Sequence, residues 1–147
     1  MDNSSASAGS TAKLTLKASL VLDADGPRVA HVRHLVATFL TTVAAGGIAV
    51  AADTVQIVQL IVSELVTNAR KHAPGPARLH LRVAGPVLQV EIHDTNPVAP
   101  TAKAPDPIRV GQHGLEIVTA LARTVTVEQT PDGKRITAHI VLHPATA

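Results

Sequence analysis

The sequence predicts an α+β fold, a two-layer α/β sandwich whose mostly antiparallel mixed sheet carries its helices on one face. Three observations point to it. Stretches with alternating polar and apolar residues come in adjacent pairs joined by short turns, as in Ala77–Ala84 and Val87–Asp94 around Gly85-Pro86. Stretches with helical periodicity stand between the strands in numbers that suit one covering layer. The chain has 147 residues, 46% hydrophobic and 16% charged, which suits one globular domain with its own core.

The elements follow in order. Residues 1–12 are rich in Ser, Ala and Gly and read as a disordered tail, leaving one domain over 13–147. Lys13–Leu22 alternates and reads as a strand. Asp25-Gly26-Pro27 is a turn, and Pro27 suits a helix start. A first helix is expected from Pro27 to Ala44, stopped by Gly46-Gly47. A second is expected from Asp53, a candidate N-cap with Gln56 three residues on, to His72. Ala73-Pro74-Gly75-Pro76 ends it, and the 77–94 hairpin follows. Residues 96–109 carry Pro97, Pro100, Pro105 and Pro107 with little apolar content, which reads as a long lid-like loop. Gly111–Arg123 resumes a helical pattern. Thr124–Thr130 and Lys134–Leu142 close the domain as a hairpin around Pro131-Asp132-Gly133.

Composition removes several functions. Phe39 is the only Phe, Tyr or Trp, so the core must be built from Val, Leu, Ile and Ala. A base-stacking platform and an aromatic cage both need ring faces. Thirteen Lys+Arg against eleven Asp+Glu are scattered along the chain, giving no stripe for a phosphate backbone. No direct nucleic-acid partner is expected. With no Cys there is no disulfide and no thiolate metal site, which is compatible with the cytoplasm. The N-terminus lacks a basic start and apolar run, so it does not read as a signal peptide. Residues 35–52 are uncharged, but Thr38, Thr41, Thr42, Gly46 and Gly47 favour a helix end, a turn and a new helix over a membrane span.

Three segments carry chemistry. On the wheel of the second helix, Ile57, Val58, Leu60, Ile61, Val62, Leu65 and Val66 form an apolar arc, with Gln56, Gln59, Ser63, Thr67 and Arg70 on the other flank. Glu64 and Asn68 fall inside the arc one turn apart, with Lys71 and His72 a turn further. A carboxylate and an amide so placed can face one ligand. Glu64 could equally be a boundary residue paired with a nearby cation. The strand Val87–Asp94 ends on an acidic residue before a turn, a common place for a ligand-reading carboxylate and also for a turn-forming Asp. Gly111-Gln112-His113-Gly114-Leu115 opens a helix, whose free N–H groups can take an anion.

In this order, the segments resemble the ATPase family that unites histidine kinases, gyrase, a heat-shock chaperone and mismatch-repair ATPases, the GHKL-type family. Glu64-Leu65-Val66-Thr67-Asn68-Ala69-Arg70-Lys71-His72 resembles its N-box, Asp94 with its turn the first glycine box, and Gly111–Val118 the second. The short chain most resembles the anti-sigma-factor serine/threonine kinases. The resemblance implies a Bergerat-type ATP-binding fold and a Mg-ATP-dependent transferase. It assigns Glu64 as general base and Asn68 as the Mg²⁺ ligand. It gives Asp94 the adenine amino group, and places Lys71 and His72 near the phosphates. Asn96 stands at the first box's glycine. Gly111, His113, Gly114 and Leu115 form the phosphate-side box, with Gln112 where a glycine is usual. Arg109, at the end of the lid, could meet the γ-phosphate. The implied partners are a sigma factor and an anti-anti-sigma (STAS-type) protein, in transcription regulation, with a homodimer of the kind its relatives form.

Two other readings stand beside the kinase. One is an ATP-binding partner-switching module without efficient phosphotransfer. The other is a metal or hydrolase site built from the eight His. His31 and His34 share a helix face but have no carboxylate at ligand spacing, and no His-Glu-x-x-His or Gly-x-Ser-x-Gly occurs.

Overall fold

The computed structural model describes residues 15–22, 28–72, 75–95 and 112–144. Among them the order is β1 (Thr15–Leu22), α1 (Val29–Ala45), α2 (Ala52–His72), β2 (Ala77–Ala84), β3 (Val87–Asp94), α3 (Gln112–Leu121), β4 (Thr124–Thr130) and β5 (Gly133–Val141). The sheet order is β1-β2-β3-β5-β4. All four pairings are antiparallel, so no mixed pairing occurs among the described strands. The tail 1–12, the turn 25–27 and the loop 96–109 lie outside the described residues.

Alternation sorts the strands into two faces. Leu79, Leu81 and Val83 of β2 pair with Ile92, Val90 and Leu88 of β3, all buried. Ile136, Ala138 and Ile140 of β5 continue the same face. The opposite face carries Lys17, Arg78, Arg82, Gln89 and Arg135, with Glu91 and Glu128 flanking Arg135. The apolar face receives the helices: α2 packs on β2 and β3, α1 packs on α2, and α3 packs on α2 and β4. Val32, Val36, Phe39, Leu40 and Val43 of α1 complete a core in which a buried Leu, Ile or Val contributes about 1.5–3 kcal/mol. Phe39 is the core's one aromatic residue.

Two turns need glycine. Gly47 sits at φ 100° just beyond the α1 C-cap Gly46, and Gly85 at φ 61° opens the β2–β3 hairpin, where Pro86 fixes the next φ. The uncharged stretch 35–52 is thus the end of α1, this turn and the first residue of α2. No helix among the described residues is long and apolar enough to cross a membrane.

Three local expectations change. The first helix begins at Val29, after Arg28, rather than at Pro27. Asp53 is not the N-cap of α2: it lies in the first turn, where the Thr54 N–H already donates to the Ala51 carbonyl at 3.0 Å. Its carboxylate therefore supports the helix through the dipole. Leu60 is 41% exposed although it shares the Glu64 side of the wheel, so that side of α2 is a boundary. Gln59, on the polar flank, reaches across to donate to the Arg33 carbonyl at 2.9 Å and ties α2 to α1.

Candidate functional site

The N-terminal turn of α3 rests on Glu64. A Cβ added at Gly114 would stand 2.7 Å from Glu64 Oε2, so Gly114 is the residue that lets the carboxylate approach this turn. Val58, Ile61, Val62, Leu65 and Val66 anchor α2 in the core, which fixes Glu64 at the α2–α3 boundary, half-buried. Asn68, one turn on, is only 6% exposed. Neither the Glu64 carboxylate nor the Asn68 amide has a side-chain hydrogen bond or ion pair among the described residues. A buried amide without a partner is costly in a folded protein, and a bound ligand is one way to satisfy it. Lys71 is exposed near the end of α2, and Leu115 follows Gly114 into α3, half-buried. His72 closes α2; its side chain and that of His113 lie outside the described set, as do Asn96, Arg109 and Gly111 entirely.

The sheet contributes the other end. Asp94 closes β3 on the helix-facing side, in phase with Val90 and Ile92. Its cross-strand neighbour is Lys134, the second residue of β5. Lys134 Nζ lies 2.9 Å from Asp94 Oδ2 and 3.1 Å from Oδ1, with both side chains 1–2% exposed. Such a pair holds only when each charge has the other, because removing either leaves a buried charge uncompensated. Glycines close the backbone around it. A Cβ at Gly133 would collide with the Asp94 carbonyl oxygen, so the start of β5 passes directly against the end of β3. A Cβ at Gly75 would meet Thr95 Oγ1 at 2.6 Å, which brings the segment after α2 to the residue after Asp94.

Glu64 and Gly114 are therefore in contact, Asn68 follows on the same helix, and Asp94 is held at the end of β3 near the exit of α2. Lys134, Gly133 and Gly75 are residues to which the sequence motifs gave no place in the site. Lys134 did leave a trace: it is in phase with Ile136, Ala138 and Ile140, a lysine on the apolar face of its strand. The glycines were legible only as turn residues, since a close backbone approach has no one-dimensional signature.

The donor set has hard-ion character. Mg²⁺ takes oxygen ligands and shares its shell with phosphates and water, so an amide oxygen with no side-chain partner among the described residues, beside a carboxylate, fits it. No group of three His, Cys, Asp or Glu lies together among the described residues.

Comparison with known proteins identifies the fold and the family. No curated protein matches the chain. The solved structure of the RsbU and RsbW domains of Rv1364c from Mycobacterium tuberculosis is similar in fold, with a TM-score of 0.62 at 18% identity. The match covers 86% of this chain and 32% of that one, so this chain spans about a third of that protein's length. A family model described as the histidine kinase-like ATPase domain matches residues 26–140, a stretch that contains Glu64, Asn68, Asp94 and Gly114 alike. The chain belongs to the histidine kinase-like ATPase domain family.

Proposed function

We propose that the protein is an ATP-dependent serine/threonine protein kinase of the anti-sigma type, which binds a sigma factor and phosphorylates an anti-anti-sigma (STAS-type) partner. The observation that carries this reading is the approach of Glu64 to Gly114. It sets a carboxylate without a side-chain partner among the described residues against a helix N-terminus, where backbone N–H groups favour phosphate. In this reading Asp94 accepts from the amino group of adenine. Asn68 holds Mg²⁺, which when bound neutralises phosphate charge. The same reading gives Lys71, His72 and Arg109 the role of phosphate contacts and Gly111, His113, Gly114 and Leu115 that of the phosphate-side box. Asn96 follows the base-reading turn. Glu64 accepts the proton of the attacking hydroxyl as it becomes a nucleophile. Phosphoryl transfer depends mainly on positioning and charge neutralisation, so this small set is sufficient. The fold shared with a structure that contains an RsbW domain supports a regulatory role. A homodimer and a cytoplasmic setting belong to the same proposal.

The second reading, an ATP-binding partner switch without efficient transfer, is favoured by one residue: Gln112 puts a side chain where the family's box has a glycine. The two separate in one assay, incubation with γ-labelled ATP, Mg²⁺ and candidate STAS proteins. The kinase transfers label to a Ser or Thr, and Glu64→Ala lowers transfer by about 10²–10⁴-fold while ATP still binds. ATP binding without any transfer identifies the switch. If Asn68→Ala leaves Mg-ATP affinity unchanged, the assignment of the metal-holding residue fails.

A further inference from the structure

The Asp94–Lys134 pair has no part in the transfer step proposed above, yet it is the most completely buried pair of charges among the described residues. We propose that Lys134 is a positioning residue that sets base specificity: it holds Asp94 as a charge-compensated acceptor, so that the subsite takes a neutral ring with an exocyclic amino group, a 6-aminopurine, in preference to a 6-oxopurine. This rests on the reading of Asp94 as the base-binding carboxylate.

The geometry supports the role in three ways. The ammonium straddles both oxygens, at 2.9 and 3.1 Å, so it fixes the plane of the carboxylate as well as its charge. The backbone on either side is held: Gly133 lies against the Asp94 carbonyl oxygen and the Thr95 Cα, and Gly75 lies against the Thr95 side chain. Lys134 is the direct cross-strand partner of Asp94, so its approach is set by sheet register rather than by a flexible loop. An ionised carboxylate accepts hydrogen bonds and cannot donate one, whereas a protonated acid does both. With both oxygens facing the Lys134 ammonium, the Asp94 carboxylate is an acceptor: it matches the N–H of a 6-amino group and opposes the carbonyl oxygen of a 6-oxo group. The ammonium also cancels the carboxylate charge, so the subsite does not select a cation.

The test compares ATP with ITP, which differ at this position of the ring, by calorimetry on the full chain with Mg²⁺. The unsubstituted protein is expected to prefer ATP by about 10–100-fold, the range of one hydrogen bond to a charged acceptor. In Lys134→Met, ATP affinity falls at least tenfold and the ATP:ITP ratio moves towards one, while affinity for inorganic tripolyphosphate is unchanged. A merely structural lysine would weaken all three ligands together. Should Lys134→Met not fold, Lys134→Arg keeps a buried cation but shifts the carboxylate, and a reduced ATP:ITP ratio with unchanged tripolyphosphate affinity is expected of it. An ATP:ITP ratio unchanged in the folded variant overturns the inference and leaves the ATP reading intact. No ATP binding by the unsubstituted protein overturns both.

Discussion

At the sheet end of the candidate site, Asp94 and Lys134 are carried on neighbouring strands, buried to within 2% of full coverage and paired with each other. At the helix end, Glu64 is half-buried, and Asn68, 6% exposed, has no side-chain partner among the described residues. The first arrangement is complete as a piece of protein structure, because each charge is satisfied by a group of the same chain. In the second, no described side chain meets the demand of the carboxylate or the amide, which suits groups that face a ligand. A group already paired within the chain, such as Asp94, is held in place before any ligand arrives, whereas the demand of Asn68 is met by no described residue.

That contrast can be broken from either side. The largest effect is expected at the sheet end. Asp94→Ala leaves Lys134 buried without its counter-charge and should cost about 3–5 kcal/mol, read as a lower denaturation midpoint. A smaller loss would show that the pair is relaxed into water. For the same reason, lost nucleotide binding in Asp94→Ala is informative only after folding has been checked.

Gly114→Ala comes next and acts in the opposite sense. The atom that the new methyl meets is the tip of a flexible side chain, so Glu64 moves and the backbone does not. Stability should stay within about 1 kcal/mol of the unsubstituted protein, helped by the better helix propensity of alanine. Phosphotransfer should fall by up to about 10²-fold, because a displacement near 1 Å is enough to misplace a reacting group. Equal loss of stability and transfer would remove the distinction between the two ends.

The smallest effect is expected on the outer face of the sheet. Arg135 lies 3.5 Å from Glu128 and 3.9 Å from Glu91 but is 40% exposed. Water and salt screen such a bridge, so Arg135→Ala should change the thermal midpoint by the equivalent of less than about 1 kcal/mol. It differs from Lys134, the next residue back, mainly in which face of the strand it occupies.

Much of the site could be read from the chain. The Glu64–Asn68 spacing places two polar groups on the apolar side of a helix, and the glycine at 114 marks a helix start. The wheel went too far in giving that whole side to the core, since Leu60 is 41% exposed. Asp53 suited an N-cap by type, yet the chain starts α2 one residue earlier, because the Ala51 carbonyl accepts the first bond while the Ala51 N–H is drawn to the Leu142 carbonyl at 2.9 Å. Local preference there gave way to a long-range bond between the residue after β5 and the residue before α2.

The sequence by itself determined the number and order of the described elements, the hairpin at Gly85-Pro86, the stop at Gly46-Gly47 and the family motifs. All of these are written in periodicity and in residues that act on their immediate neighbours. Tertiary structure decided which of the scattered charges meet. Residues 94 and 134 are neighbours only because β5 returns between β3 and β4, and Gly133 makes the return close enough for an ammonium to span a carboxylate. Burial then gives the pair its importance: the charge that Arg135 shares with water on one face is, one residue away on the other, held against a buried carboxylate.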